Sequence, residues 1–458
     1  MKGVLALEEY DSVVVGAGVA GSLFSYFLAC KGYRVALVER KPKETIGLKV
    51  CGDAIGVHHF SEVGLSLPSS VILNEVQGAK VFSPSGKYVF YVEGKGIIVD
   101  RLAFGQYLLN LALSKGVELY DNCEARSPLV EGNKVVGVKF FNKGEGKVRE
   151  LRAKVVVDAS GVTACLRRKL PREWWVSEGV DKEDLQIAYR EIRNLRSDIE
   201  DVKCIRIHLD PEVAPGGYWW FFPRGPREVN IGLGVQWREG APNPKEKFYA
   251  YLASMKEIKG SKVIHAGGGL VPTRRPLSAP VASGFLAIGD AALTCNPLHG
   301  GGIGPAMLSA KLAAESVSKA LSEGNTDIRA LWTYPIDYFK YYGYKQAALD
   351  IFRTFLQSLS KEEIEFGMAK KLVKEEEVYR VGMKGDLELS LAERALRALK
   401  ALPKPSFLLR LSRVAKYMKL IKELYLNYPS SPDHFEKWLI EVRNLLSEYY
   451  RSLNIRKA

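Results

Sequence analysis

The stretch Ser12-Val13-Val14-Val15-Gly16-Ala17-Gly18-Val19-Ala20-Gly21 decides how the first part of the chain folds. An apolar run of strand length ends in glycines spaced GxGxxG, and apolar residues then continue as a helix to about Lys31. Gly16 permits a tight turn, Gly18 lets the backbone approach a pyrophosphate, and Gly21 lets helix and strand pack closely. Tyr33 to Glu39 reads as a second strand, so the opening predicts a βαβ unit. Glu39 stands eighteen residues past Gly21 at the end of that strand, where a carboxylate takes both hydroxyls of an adenosine ribose. A carboxylate there disfavours a 2′-phosphate and leaves FAD or NAD.

The choice between those two lies far downstream. Phe285-Leu286-Ala287-Ile288-Gly289-Asp290 reads as an apolar strand ending in Gly-Asp, and Gly300-Gly301-Gly302-Ile303-Gly304 leads into a helix from about Pro305. Asp290 can bond a ribityl hydroxyl while the helix N-terminus faces the anionic ring of a reduced flavin. FAD is long enough to need this second site, and NAD is not.

Between these segments the pattern alternates. Val71 to Val99 reads as a hairpin around Pro84-Ser85-Gly86, Arg101 to Lys115 as a helix, and Val135 to Phe140 and Val155 to Val157 as strands. Leu185 to Gln236 is rich in strands and aromatic residues, and the chain beyond Ala330 is helical and polar. The expected fold is α/β. A Rossmann-type FAD-binding domain over residues 1–60, 100–165 and 265–330 is interleaved with an antiparallel-sheet substrate domain over 61–99 and 166–264. A C-terminal helical domain follows over 331–458.

Composition sets the limits. The 458 residues, 47% of them hydrophobic, exceed one ordinary core and exclude disorder, collagen and coiled coil. Six cysteines without a CxxC pair argue against a disulfide scaffold, a zinc site or an iron–sulfur cage, so no metal is expected and the compartment is read as reducing. The first eleven residues do not read as a signal peptide, and the expected location is cytoplasmic. Val281 to Ala310 has Asp290 as its sole full charge, yet its glycines and prolines predict a buried loop and helix rather than a membrane span. The net charge is +14, and Leu391 to Leu426 holds nine Lys/Arg against two Glu. Such a balance suits nucleic acid or an anionic membrane. No nucleic-acid-binding module accompanies it.

The glycine fingerprint with Glu39, the Asp158-Ala159-Ser160-Gly161 stretch and Gly289-Asp290 together resemble the FAD-dependent hydroxylase-like flavoproteins. Within that group, Pro215-Gly216-Gly217-Tyr218-Trp219-Trp220-Phe221-Phe222-Pro223 matches the PxxYxWxFP signature of the geranylgeranyl reductases, and Cys51-Gly52-Asp53 is similar to their Cys-Gly segment. The resemblance runs from about Asp11 to Ala320 and is strongest to the archaeal enzymes that saturate the isoprenoid chains of digeranylgeranylglycerophospholipids. It implies FAD contacts at Ala20, Glu39, Cys51, Gly52, Ala54, Arg101, Ala125, Asp290, Gly302 and Ile303. Arg101 also makes sense independently, as a fixed cation opening a helix within reach of a pyrophosphate. Two departures stand out. Ser25 replaces the fourth small residue of the fingerprint, and Ser160 stands where hydroxylases usually carry Asp, which disfavours a monooxygenase.

In the aromatic stretch, strand alternation puts Tyr218, Trp220 and Phe222 on one face and Trp219 and Phe221 on the other. One face joins the core and the other lines a slot for an isoprenoid. Reduction of an isolated trisubstituted alkene needs a proton as well as a hydride, because no carbonyl accepts the charge. The expected chemistry is hydride from the flavin's central-ring nitrogen and a proton from Cys51. His58 and His59 are alternative donors, and Cys51 would otherwise shape the flavin pocket. His299 is read as capping its loop, and Arg274 and Arg275 as either phosphate ligands or surface charges.

Ser406 is read as capping a basic amphipathic helix with Phe407, Leu411, Val414, Met418, Ile421 and Tyr425 on its apolar face. Such a helix docks on its own protein or lies on an anionic membrane, and peripheral, salt-sensitive membrane contact is the expectation. FAD takes the single complete fingerprint, so electrons come from NAD(P)H bound without one, from a ferredoxin or from a deazaflavin. The competing functions are a flavin monooxygenase on the same scaffold and a prenyl-lipid-binding escort protein without turnover. The complete flavin site argues against the escort.

Overall fold

A computed structural model of the chain describes residues 9–375, 377, 385, 387 and 404–454. The first eight residues of the stretch weighed as a leader, and 391–403 of the basic stretch, lie outside the described residues.

The valine run forms β1 (Glu9–Val15), which lies between β2 (Val35–Val38) and β9 (Lys147–Asp158), parallel to both, with Ser12 opposite Val35 and Val155. A parallel strand covered on both faces reads as a continuous apolar run, which is why Val13, Val14 and Val15 are all buried. β6 (Glu118–Tyr120) extends the sheet beyond β2, β16 (Phe285–Ala287) runs parallel to β9, and β15 (Val281–Ala282) closes that edge. β7 (Cys123–Glu131) and β8 (Lys134–Asn142) attach to β9 as an antiparallel meander. Helices α1 (Val19–Ala29), α2 (His58–Val63), α3 (Arg101–Leu113) and α5 (Ile303–Ser322) contribute to the core on the face of Val14, while Val13 and Val15 face Phe140 and the meander.

The second sheet runs β14-β10-β13-β12-β11-β4-β5-β3. Its strands are β3 (Ala54–Gly56), β4 (Ile72–Phe82), β5 (Val89–Val99), β10 (Leu185–Asn194), β11 (Cys204–His208), β12 (Tyr218–Pro223), β13 (Glu228–Gln236) and β14 (Lys262–Pro272). All its pairings are antiparallel except β11 with β4. One face packs Trp219, Phe221, Ile231 and Leu233 against Phe248 and Leu252, next to the short α4 (Pro244–Lys247). The other carries Trp220, Phe222, Val76 and Ile98.

Three expectations are corrected. β3 and the whole of β14 belong to the second sheet, so residues 54–56 and 265–272 leave the nucleotide-binding part; Gly267-Gly268-Gly269 reads as loop but pairs with β10. The C-terminal helices do not form a core of their own. α6 (Ile328–Leu331), α7 (Thr333–Tyr338), α8 (Tyr344–Gln357), α9 (Lys361–Ala369), α10 (Pro405–Leu426) and α11 (Phe435–Ser452) bury Trp332, Phe339, Tyr425 and Trp438 in the same cluster as Leu23 and Phe24 of α1. Ser406 does not cap α10: Lys404 is at the N-cap and Pro405, whose φ suits the first turn and whose missing N–H needs no cap, starts the helix. The apolar face expected on α10 is present, and it is buried.

Candidate active site

The glycine turn is built as its spacing requires. Gly16 has φ +102°, and a Cβ on it would lie 2.5 Å from the Ala159 carbonyl oxygen; one on Gly21 would lie 1.8 Å from the Gly16 oxygen. Gly18, at the N-cap of α1, faces open space, as a backbone approached by a pyrophosphate must. The Glu39 carboxylate accepts from the Ala17 N–H at 2.8 Å and the Lys41 N–H at 3.0 Å, which sets it beside that turn. Ala125 stands two residues beyond Cys123, whose N–H donates to the Glu39 carbonyl. Ser25 is accommodated by donating to the Gly21 carbonyl at 2.8 Å.

Arg101 opens α3, and its Nε and Nη1 are shielded from solvent without a hydrogen-bond partner among the described residues. Burial depresses the nearby Lys41 ammonium, and the charges of Lys49 and Arg101 add to that. A half-buried guanidinium with two shielded nitrogens lacking a described acceptor, beside two lysines, fits a bound diphosphate.

Asp290 follows β16 and pairs with Lys49 at 3.2 Å; its other oxygen lies beside Gly302, just before Ile303 starts α5. Ala20 of α1 meets Gly289. The Cys51-Gly52-Asp53 turn lies beneath the second sheet, its half-buried Cys51 carbonyl accepting from Asn230 at 2.7 Å and Arg190 at 3.3 Å. Asp53 is fully buried at φ +66° and bonded to Arg224 at 2.6 Å and Asn230 at 2.8 Å. Burial pushes its carboxyl up, against the pull of Arg224 and Arg101. Ala54 then enters β3.

Alternation along β12 places Tyr218, Trp220 and Phe222 on the face toward this turn, and the Phe222 ring lies against Gly52. Opposite them in register stand Gly234, Gly232 and Asn230; a Cβ on Gly232 would lie 2.5 Å from the Trp220 ring. The Tyr218 hydroxyl donates to the His299 carbonyl at 2.6 Å, and Trp220 Nε1 donates to Asn230 Oδ1 at 3.0 Å. His299 accepts from the Gly301 N–H through Nδ1, so it caps its loop as expected, and burial lowers its pKa to about 4. His58 and His59 open α2, where His59 bonds Glu62 at 3.0 Å and lies against Gly304.

Arg274 and Arg275 are not surface charges, and both are engaged in ion pairs. Arg274 is buried against Glu178 at 2.5 Å, and Arg275 reaches Asp350 at 3.3 Å. Ser160 donates to Asp158, which also accepts from the Leu166 and Arg167 N–H groups. Sequence reasoning missed Lys49, Asn230, Arg190 and Arg224. Asn230 did leave a signal, as an amide in the otherwise apolar Val229-Asn230-Ile231-Gly232-Leu233.

The geranylgeranyl reductase catalytic domain model matches residues 184–271, which span β10 to β14, and the NAD(P)-binding Rossmann-like domain model matches residues 14–50. The digeranylgeranylglycerophospholipid reductase of Sulfolobus acidocaldarius is 42% identical over 448 residues, covering 97% of this chain and 99% of the relative. Digeranylgeranylglycerophospholipid reductase 1 of Methanopyrus kandleri is 33% identical, covering 71% and 85%. Among solved structures, a geranylgeranyl bacteriochlorophyll reductase-like protein from Thermoplasma acidophilum superposes with TM-score 0.74 at 24% identity over 89% of this chain and 99% of that one. A flavin-dependent brominase superposes at 0.62 and 20% identity, over 97% and 100%. These two likenesses show a shared fold. Similarity to the Sulfolobus enzyme along nearly its whole length shows that this chain is an oxidoreductase belonging to the digeranylgeranylglycerophospholipid reductase family.

Proposed function

We propose that the chain is an FAD-dependent reductase that saturates the isolated double bonds of geranylgeranyl chains in digeranylgeranylglycerophospholipids or in geranylgeranyl diphosphate. The observation that carries this reading is the contact of the Cys51-Gly52 turn with Phe222 on the ring-lined face of β12, in a chain whose Gly16–Gly21 turn leaves Gly18 open to a nucleotide. In it, Gly16, Gly18, Gly21 and Glu39 hold the adenosine half of FAD. Arg101 meets the diphosphate, and Asp290 with Gly302 and Ile303 receives the flavin half. A bound flavin supplies hydride to an alkene carbon. Tyr218, Trp220 and Phe222 orient the apolar chain and exclude water, while Cys51 delivers a proton to the other carbon. NAD(P)H, a ferredoxin or a deazaflavin supplies the electrons.

The outer face of α10 supports peripheral membrane contact. Arg413, Lys416 and Lys419 are exposed there in helical spacing, between exposed Leu409 and Leu426. No helix among the described residues is long and apolar enough to cross a membrane.

The test is anaerobic. The yellow protein is reduced with dithionite and given a digeranylgeranyl phospholipid, and flavin reoxidation is followed together with lipid mass. Reoxidation with two hydrogens gained per double bond is expected, and Cys51→Ala should keep FAD while slowing that step at least tenfold. Flavin that stays reduced over unchanged lipid would favour the monooxygenase. A colourless protein that FAD does not reconstitute would favour the escort.

A further inference from the structure

We propose that Tyr218, Trp220 and Asn230 are positioning residues: the polar ends of the aromatic strand hold the two loops that flank the flavin site, beyond any role of the rings in lining a slot. This inference rests on the reductase reading of the site.

A ring needed only for apolar contact has no use for a hydroxyl or an indole N–H. Here both are used, and they reach in different directions. The Tyr218 hydroxyl donates to the His299 carbonyl. His299 belongs to a self-closed loop, in which Asn296 Oδ1 accepts from the Leu298 N–H at 2.9 Å and the His299 N–H at 3.3 Å and His299 Nδ1 accepts from Gly301. That loop runs directly into Gly302 and Ile303 at the start of α5. Tyr218 therefore ties β12 to the flavin side of α5.

Trp220 works toward the opposite loop. Its Nε1 donates to Asn230 Oδ1, and the amide nitrogen of Asn230 donates to both the Cys51 carbonyl and the Asp53 carboxylate. Asn230 is fully buried, and its described side-chain bonds all run between the aromatic strand and the Cys51 turn. The turn benefits from such support, since Asp53 adopts a left-handed conformation that is less favourable for it than for glycine. Phe222 has no polar end and meets Gly52 with its ring alone. The three inward positions of the strand are thus not interchangeable: Tyr holds the loop before α5, Trp holds Cys51 through Asn230, and Phe packs on the turn between them.

Tyr218→Phe and Asn230→Leu separate this from a lining role, because the first removes one hydrogen bond and the second three while both nearly preserve volume. Three readouts are taken on purified protein: FAD affinity of the stripped form, amide exchange of residues 50–53 and 296–302 without flavin, and kcat and KM for a digeranylgeranyl phospholipid. The expected result is FAD bound about tenfold more weakly, faster exchange of 296–302 in Tyr218→Phe and of 50–53 in Asn230→Leu, and kcat lowered at least tenfold with KM within twofold. A raised KM with unchanged FAD affinity, exchange and kcat would overturn the proposal in favour of rings that only line the slot. Tyr218→Phe decides alone if Asn230→Leu does not fold. Exchange and FAD affinity need no lipid, so a wild type that fails to reduce lipid would sink the reductase reading while leaving these two measurements able to judge the loops.

Discussion

Arg101 enters the site with two guanidinium nitrogens shielded from water and, among the described residues, without an acceptor. Shielding part of a guanidinium without a partner is costly, and Lys41 and Lys49 lie close enough to add repulsion. The arrangement makes sense once an anion sits among the three cations. Arg101→Gln is therefore expected to weaken FAD about 10- to 100-fold, the loss of a charge-assisted contact. Riboflavin, which lacks the diphosphate, should bind variant and wild type alike. Fluorescence quenching on titrating stripped protein with each flavin measures both, and equal loss for the two would show that Arg101 does not meet the diphosphate. Arg101 was legible in the sequence because a cation opening a helix after Val99-Asp100 is a local feature. Asn230 stood out only as an amide in an apolar run, and its role was not legible, because that role depends on Cys51, 179 residues away along the chain. Lys49 was missed for the same reason, since Asp290 faces it from 241 residues away.

At the scale of elements, β1, α1, β2 and the hairpin of β4 and β5 followed from periodicity, since burial of each strand or helix face is written in its own residues. Sheet membership is different. β14 joins the second sheet through its partner β10, and no local pattern in its glycines specifies that partner. α10 shows what periodicity can and cannot tell. The spacing of Phe407, Leu411, Val414, Met418, Ile421 and Tyr425 correctly marked one face, but what covers that face is a tertiary fact: Phe407 meets Phe355 of α8, and Tyr425 meets Trp438 of α11. The apolar stripe is therefore unavailable to lipid, and the membrane attraction proposed above would rest on the exposed Arg413, Lys416 and Lys419. Binding of this kind is mostly Coulombic and screened within about 10 Å at 0.1 M salt. Vesicles rich in anionic lipid should carry the protein at low salt and release it at 0.5 M, and Lys416→Glu with Lys419→Glu should abolish flotation without changing the melting temperature. Flotation indifferent to salt and to both substitutions would place the contact elsewhere.

At the scale of the whole molecule, the parts are tied by a buried ionic network. Arg353 of α8 pairs with Asp350 at 2.6 Å and with Asp184, just before β10, at 3.0 Å; Arg275, after β14, reaches Asp350, and Arg274 reaches Glu178. Gln346 of α8 adds hydrogen bonds to the carbonyls of Arg274, Leu293 and Cys295, so the C-terminal helices brace the loop that follows Asp290. Glu178 reports on this network through pH. Burial alone would raise its carboxyl, but Arg274, Arg275 and the Ser278 N–H outweigh burial and hold it at about 2, below the ordinary 4.5. A carboxyl depressed in the folded state stabilises the fold above its unfolded pKa and loses that contribution as pH falls through the folded one. The window here is therefore about 4.5 down to 2, and the contribution at neutral pH is about 3 kcal/mol. Glu178→Gln removes the titration and leaves Arg274 with Asp184 at 3.8 Å as its remaining ion-pair partner. The variant should be destabilised by about 3 kcal/mol at pH 7, with the gap to wild type closing as both are brought toward pH 2.5. Urea unfolding at a series of pH values measures that gap, and one that stays constant from pH 7 to pH 2.5 would mean that Glu178 is not held ionised by the arginines.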